Sequence, residues 1–408
     1  MKNNYWIIDD LLIFKPEFND ELTNYYDVIN KYKKIIFSNY NKPLITIEKN
    51  NEFKHEYDNN YIQSKFNQKT DLSNNINLTH LTFGYKFNQE IDISNNINLI
   101  HLTFRWHFNQ KIDLLNNINL INLTFGNEFN QKIDLSNNIH LTHLTFGWEF
   151  NQEIDLSNNI HLTHLTFGWE FNQEIDLSNN IHLTHLTLGD SFNQKIDLSN
   201  NINLTHLTFE WNFDQKIDLS NNINLTHLTF GGCFNQKIDL SNNINLTHLT
   251  FKWGFDQEID LLNNTNLTHL SFEYCFNQKI DLSNNINLKY LKFGSSFNQE
   301  MIILSNVESL TMYYCNNQYI IDNLHNNIKE LKIYKTNLNL DNLPNCIKKI
   351  YIEDYNKKLN NLPNSIEYLE LKDYNLKIKK IPKNLKTVKC DKNYQYMDDF
   401  KDYEVIYY

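Results

Sequence analysis

The stretch that decides the fold runs from Phe150 to Glu170: Phe-Asn-Gln-Glu-Ile-Asp-Leu-Ser-Asn-Asn-Ile-His-Leu-Thr-His-Leu-Thr-Phe-Gly-Trp-Glu. Phe171 restarts it, and the same Phe recurs at 66, 87, 108, 129, 150, 171, 192, 213, 234, 255, 276 and 297 with no insertion or deletion. A strict period of 21 residues marks a solenoid, in which each coil packs on its neighbours. Within the coil, Leu162-Thr163-His164-Leu165-Thr166-Phe167 alternates from His164 onward, sending Leu165 and Phe167 to one face and His164 and Thr166 to the other. That pattern predicts a short strand with one buried side. Ile154-Asp155-Leu156 predicts a second extended segment, Ser157-Asn158-Asn159 a turn, and Gly168 a tight bend after the main strand.

Every coil has the same direction, so the strands are expected to run parallel and stack at about 4.8 Å. Two Leu, two Phe, Ile, Leu and Ile from each coil are expected to fill the interior as columns. The back of the coil is too polar and turn-rich for an α-helix, so extended or short 3₁₀ structure is expected there. The fold class is therefore mainly β: a right-handed solenoid of about 16 coils of 19–21 residues with one continuous parallel sheet, roughly 75 Å long.

Outward from the array the regularity decays. Residues 1–62 form an N-terminal cap, with a helix expected at Tyr5–Phe14, another at Asp20–Lys34, and short strands at Ile35–Phe37 and Leu44–Ile47. Residues 63–300 are the regular 21-residue repeats. Residues 301–390 are degenerate repeats of 19–21 residues, in which the strand signature persists as Val307-x-x-Leu310-x-Met312 through Leu385-x-x-Val388-x-Cys390. Residues 391–408 are expected to fold over the last sheet edge as a second cap.

Composition narrows the function classes. The chain has no Ala, a single Arg (Arg105) and a net charge of −11 with no basic stripe, which argues against nucleic acid or an anionic membrane as the main partner. No run of about 18 apolar residues exists to span a bilayer. Trp6–Phe14 is interrupted by Asp9 and Asp10 and does not read as a secretory signal. Five Cys with no C-x-x-C fit a reduced, intracellular and cytoplasmic setting. The six Asn-Leu-Thr triplets, at Asn77, Asn122, Asn203, Asn224, Asn245 and Asn266, abut core Leu positions and are expected to stay unglycosylated.

The strand signature resembles the leucine-rich repeat. The specific form, Phe-Asn-Gln-x-Ile followed by Leu-Thr-His-Leu-Thr-Phe-Gly, is similar to the FNIP repeat of social amoebae and of giant viruses that infect amoebae. It covers about residues 66–390, with Asp where the family often places Pro after the Ile. The resemblance implies a protein–protein interaction scaffold, with a host or viral protein as partner, no cofactor and no chemistry. Some relatives carry an N-terminal F-box, which implies an alternative: a ubiquitin-ligase substrate receptor whose residues 1–50 bind a Skp1-like adaptor, although a clear Leu-Pro opening is missing there. A carbohydrate-binding β-solenoid is the third reading.

Four columns carry candidate chemistry. His80, His101, His143, His164, His185, His206, His227, His248 and His269 line the outer side of the main sheet. A metal-binding or pH-sensitive face is one reading; a residue copied by duplication and tolerated on the sheet is the plainer one. Asp71 to Asp281, every 21 residues, forms an acidic ladder that reads either as a Ca²⁺ site or as a solvated face. Asn67 and its copies read as an amide ladder that satisfies turn backbone. The fourth slot, two residues after the strand Phe, holds Tyr85, Trp106, Trp148, Trp169, Trp211, Trp253 and Tyr274, but also Asn127, Asp190, Gly232 and Ser295. Aromatic residues among polar alternatives place this slot on a rim, where they suit binding hot spots. No phosphate-binding Gly loop, nucleophile elbow or zinc-protease motif occurs, so no enzyme is expected.

Overall fold

Short β-branched and Leu/Phe runs separated by Asn-rich turns leave the chain no option but brief strands, and it forms them at one per coil. The computed structural model describes residues 4–42 and 61–408. It divides into two compact units, Met1–Trp211 and Asn212–Tyr408.

In the first unit, strands at His80–Thr82, His101–Thr103, Asn122–Thr124, His143–Thr145, His164–Thr166, His185–Leu188 and His206–Phe209 pair in parallel and in register. Each residue faces its counterpart 21 positions on, as in His164↔His185 and Leu165↔Leu186. On the inner side Phe150, Leu156, Leu162, Leu165 and Phe167 are all 0–1% exposed. Their rings stack within and between coils: Phe167 lies 3.8 Å from Phe171 and 5.6 Å from Phe146, in near-parallel planes. Of the expected Ile columns, the one through Ile154 reaches the core in part, with Ile91, Ile175, Ile238 and Ile259 buried at 8–9%, and the one through Ile160 does not. Ile154 is half-buried and Ile160 is 44% exposed, because the turn that ends at Asn159 swings the next side chain outward.

That turn is a pair of tight bends, Asn159 N–H to the Leu156 carbonyl at 3.0 Å and Leu162 N–H to the Asn159 carbonyl at 3.1 Å. The back of the regular coils is extended and turn-linked, as expected. The second extended segment is hydrogen-bonded as strand only between Thr70–Asp71 and Ile91–Asp92 among the described residues. The expected reason for Gly168 is corrected. No described glycine has positive φ. A Cβ on Gly168 would instead lie 2.2 Å from the Gly147 carbonyl oxygen, so glycine at this coil permits the close approach of one coil to the next.

The N-terminal segment departs from expectation. Tyr5–Phe14 is an antiparallel hairpin, Tyr5–Ile8 against Leu11–Phe14, not a helix. Asp9 turns it at φ 50°, a left-handed value that Asp tolerates, and the β-branched Ile7, Ile8 and Ile13 favour strand on both sides. Leu11–Phe14 then pairs in parallel with Lys34–Phe37, and that strand with His80–Thr82. Asp20–Lys34 keeps only a 3₁₀ turn at Leu22–Tyr25 and one α-turn at Tyr26–Ile29. The cap is thus built as extra rungs of the sheet. The expected strand at Leu44–Ile47 lies outside the described residues.

The second unit continues the same geometry from His227–Phe230 through Tyr290–Phe293, then through longer strands at Ser309–Tyr313, Glu330–Tyr334, Lys349–Glu353 and Tyr368–Lys372 to Thr387–Cys390. A short helix, Gln318–Asp322, occupies the back of one degenerate coil. The C-terminal segment lies along the last sheet edge as a strand. Glu404–Tyr407 adds a further parallel strand, Thr387↔Glu404. The expected 16 coils therefore undercount, since Leu11–Phe14, Lys34–Phe37 and Glu404–Tyr407 each contribute a rung. Among the described residues no helix is long and apolar enough to cross a membrane.

Candidate functional site

Strand alternation puts the His column on the outer sheet face, and the rings stack. His143, His164, His185 and His206 lie 4.2 Å apart ring to ring within the first unit; His227 and His248 are 4.2 Å apart in the second. Each ring is tied to a threonine hydroxyl. Thr163 Oγ1 lies 3.0 Å from the Thr142 carbonyl oxygen and 2.9 Å from His164 Nδ1. The same pair of contacts recurs at His143, His185, His206, His248 and His269. Nδ1 is thus engaged at every one of these rings.

Burial holds the imidazoles of His143, His164, His227 and His269 below their ordinary pKa, with neighbouring histidines adding to the effect at all but His227. His80 falls to about 4 through burial, then His101 and Lys34. Near-parallel rings, each tied to its own Thr, point their Nε2 atoms side by side and not at a common centre. Among the described residues no group of three or more His, Cys, Asp or Glu is placed to hold a metal ion.

The aromatic slot forms a connected strip in the first unit. Tyr85 stacks on Trp106 at 5.4 Å, Trp106 meets Trp148 edge-on at 5.1 Å, and Trp148 meets Trp169 at 6.2 Å. Trp106 and Trp148 are two coils apart and meet across Asn127, which is buried to 3% exposure. Trp148, Trp169 and Trp211 are 50%, 51% and 42% exposed. In the second unit Trp253 stacks on Tyr274 at 4.1 Å, and Tyr274 touches Tyr313 and Tyr314. Of the sequence-predicted residues, Tyr85, Trp106, Trp148 and Trp169 form a strip in the first unit, and Trp253 and Tyr274 a cluster in the second.

The other two columns are structural. Asp155 Oδ1 accepts the Ser157 N–H at 2.8 Å, and the copies at Asp71, Asp92, Asp134, Asp176, Asp197, Asp239 and Asp281 do the same. These bonds hold the carboxyls below their ordinary range. Asn151 Oδ1 accepts the Asn172 N–H and the Gln173 amide, so the amide ladder satisfies turn backbone.

Three features escaped the sequence reading. Asn159 and its copies are fully buried, and Asn159 Nδ2 donates to the carbonyls of Leu135 and Asn138 in the preceding coil, at 3.1 and 2.9 Å. The doubled Asn was the available signal. Ile76, Ile97, Ile118, Ile139, Ile160 and Ile181 form an exposed apolar stripe at 44–57%. On the sheet face of the second unit, Lys292 pairs with Glu273 at 2.6 Å and lies over Tyr313, and Lys389 pairs with Glu370 and lies over Tyr408. That face is self-neutralised; in the first unit Lys34, in register with His80, pairs with Asp10 at 3.3 Å.

With the geometry in place, comparisons define the fold class. No family model matches the chain, and no curated protein matches it. Among solved structures it is similar to CroV588, a circular leucine-rich-repeat protein of a giant virus, with TM-score 0.63 and 29% identity over 95% of this chain and 60% of that one. The chain thus spans less than two thirds of the length of that neighbour. It is also similar to the functional domain of InlJ from Listeria monocytogenes, with TM-score 0.54 and 20% identity over 71% and 67% of the two chains. The chain has a mainly β, leucine-rich-repeat-like solenoid fold, and its structural neighbours are leucine-rich-repeat proteins.

Proposed function

We propose that the chain is a non-enzymatic interaction scaffold of the FNIP-repeat kind, resembling those of giant amoeba viruses and social amoebae, that docks a host or viral protein on its outer sheet face and aromatic rim inside the cell. The observation that carries this reading is the strip of Tyr85, Trp106, Trp148 and Trp169, in which two indoles stand half exposed with no core to fill. Indoles held side by side on a rigid backbone offer large contact area at low entropic cost, which is what interface hot spots need. The neighbouring leucine-rich-repeat folds favour the same use. The test is affinity capture from amoebal cells with the full chain, comparing wild type with W148A/W169A. A specific captured protein that disappears with the folded double variant supports the reading; equal capture by both forms removes the rim from it.

A further inference from the structure

The rim has a charge environment unlike the rest of the molecule. From Ile133 to Gln194 the sequence contains eight carboxylates and no Lys or Arg, although Lys is abundant elsewhere. The most exposed indoles, Trp148 at 50% and Trp169 at 51%, fall inside this interval. Each is followed by an exposed Glu, and among the described residues neither Glu149 nor Glu170 has a cationic partner. The backbone locks them into columns beside the rings: Glu170 N–H donates to the Trp148 carbonyl at 2.7 Å, and Glu149 N–H to the Asn127 carbonyl at 2.8 Å. One coil on, Asp190 occupies the indole slot itself and adds a further carboxylate to the rim. By contrast Glu128, one coil before, is already engaged by His107 Nδ1 at 2.6 Å.

The adjoining sheet face does not compete for these carboxylates. His143 and His164 lie on it, each ring held through Nδ1 by its own Thr hydroxyl, in a stretch of sequence without Lys or Arg. Indole faces and free carboxylates both attract one kind of group, a cationic N–H donor. An indole face draws a cation through its quadrupole, and a carboxylate beside it supplies the counter-charge.

We infer that this rim takes an extended lysine- or arginine-bearing segment of the protein partner, seated across Trp148 and Trp169 with its cations on Glu149 and Glu170. The inference rests on the rim being the docking site and adds the chemistry of what docks. Anionic polymers, including nucleic acid and acidic peptides, are repelled by the same eight carboxylates.

The experiment is fluorescence anisotropy at pH 7.5 in about 150 mM salt, a screening length near 8 Å, with the full chain and two labelled nonapeptides. One alternates Arg with Gly, the other Glu with Gly. The cationic peptide is expected to bind and the anionic one not. E149Q/E170Q and W148A/W169A should each weaken binding at least tenfold. E153Q/E174Q removes the same charge from an exposed column away from the rim and should change binding less than twofold. All four side chains at the rim are exposed, and circular dichroism confirms that each variant is folded. Equal loss with E153Q/E174Q overturns the inference, because net charge alone then explains the binding. Failure of the cationic peptide to bind also overturns it. If W148A/W169A still abolishes capture of the cellular partner in that case, the rim remains a docking site with other chemistry.

Discussion

Asn159 spends both amide protons on carbonyls of the coil before it, in a fully buried site. Asn159→Ala removes one of the two hydrogen bonds at each of two buried carbonyls, which keep the Asn138 and Leu141 N–H groups, at about 0.5–1.5 kcal/mol each. The expected result is a lower denaturant midpoint with unchanged far-ultraviolet signal in dilute buffer. Arg105 is the opposite case. It sits in the slot that holds Gly in most coils, it is 7% exposed, and its Nη2 has no hydrogen-bond partner. Burial pulls its pKa down to about 10, so it remains charged near neutral pH at a desolvation cost. Arg105→Met keeps the volume and removes the charge, and should raise the melting temperature, by analogy with buried charges whose replacement gains about 1–4 kcal/mol. The histidines act through pH. Their folded pKa values lie below the unfolded value near 6.5, so the unfolded chain takes up more protons as pH falls. Their contribution to stability is present above about 6.5 and drains away as pH drops toward the folded value, about 4 at His80. Melting temperature should fall between pH 7.5 and 5; a flat profile would remove the idea.

At the scale of the element, the strand was the most legible feature. His164-Leu165-Thr166-Phe167 states its period, its buried face and its register in four residues, because a side-chain period of two has only one alignment that hides Leu165 and Phe167. The hairpin at Tyr5–Phe14 was not legible, because Asp9-Asp10 reads equally as an interruption of a helix and as the turn between two strands. The buried Asn159 was hidden for a related reason. A polar residue in a turn is normally solvated, and only the stacked coil shows that its hydrogen-bond partners lie in the coil before it. The rim was legible as a slot but not as a strip, since the contact of Trp106 with Trp148 skips a coil. Because a coil is the unit of packing, register matters more than length. Deleting residues 150–170 removes one full coil and brings Phe171 into the place of Phe150; it should leave the dichroism spectrum and a cooperative melt intact. Deleting only 150–160 removes Phe150, Leu156 and Asn159 and breaks three ladders at once. The shorter deletion should therefore be the more damaging, with a lost or broadened melt.

For the whole chain, a stack of coils is sound only if its last rung is closed. At the C-terminal end that closure is made by residues 391–408. Glu404–Tyr407 pairs with Thr387–Cys390, Phe400 is fully buried, and Tyr394 packs between Tyr374 at 6.4 Å and Phe400 at 5.8 Å. Burial of one such aromatic ring contributes roughly 1.5–3 kcal/mol. Removing 391–408 uncovers Val388 and Cys390 and leaves the Thr387–Cys390 strand with a row of unpaired N–H and C=O groups, a template for pairing with another chain. The truncated protein should associate as its concentration rises, read by light scattering after size exclusion, and should melt earlier than the full chain. The parallel edge, not the exposed tail, is what drives this. A truncation of only Tyr407 and Tyr408 removes the last pairing with Cys390 and the Tyr408 contacts to Glu370 and Lys389, and should lower the melt less than loss of all eighteen residues. A monodisperse monomer with an unshifted melt after loss of all eighteen residues would mean that the preceding coils hold their own edge closed.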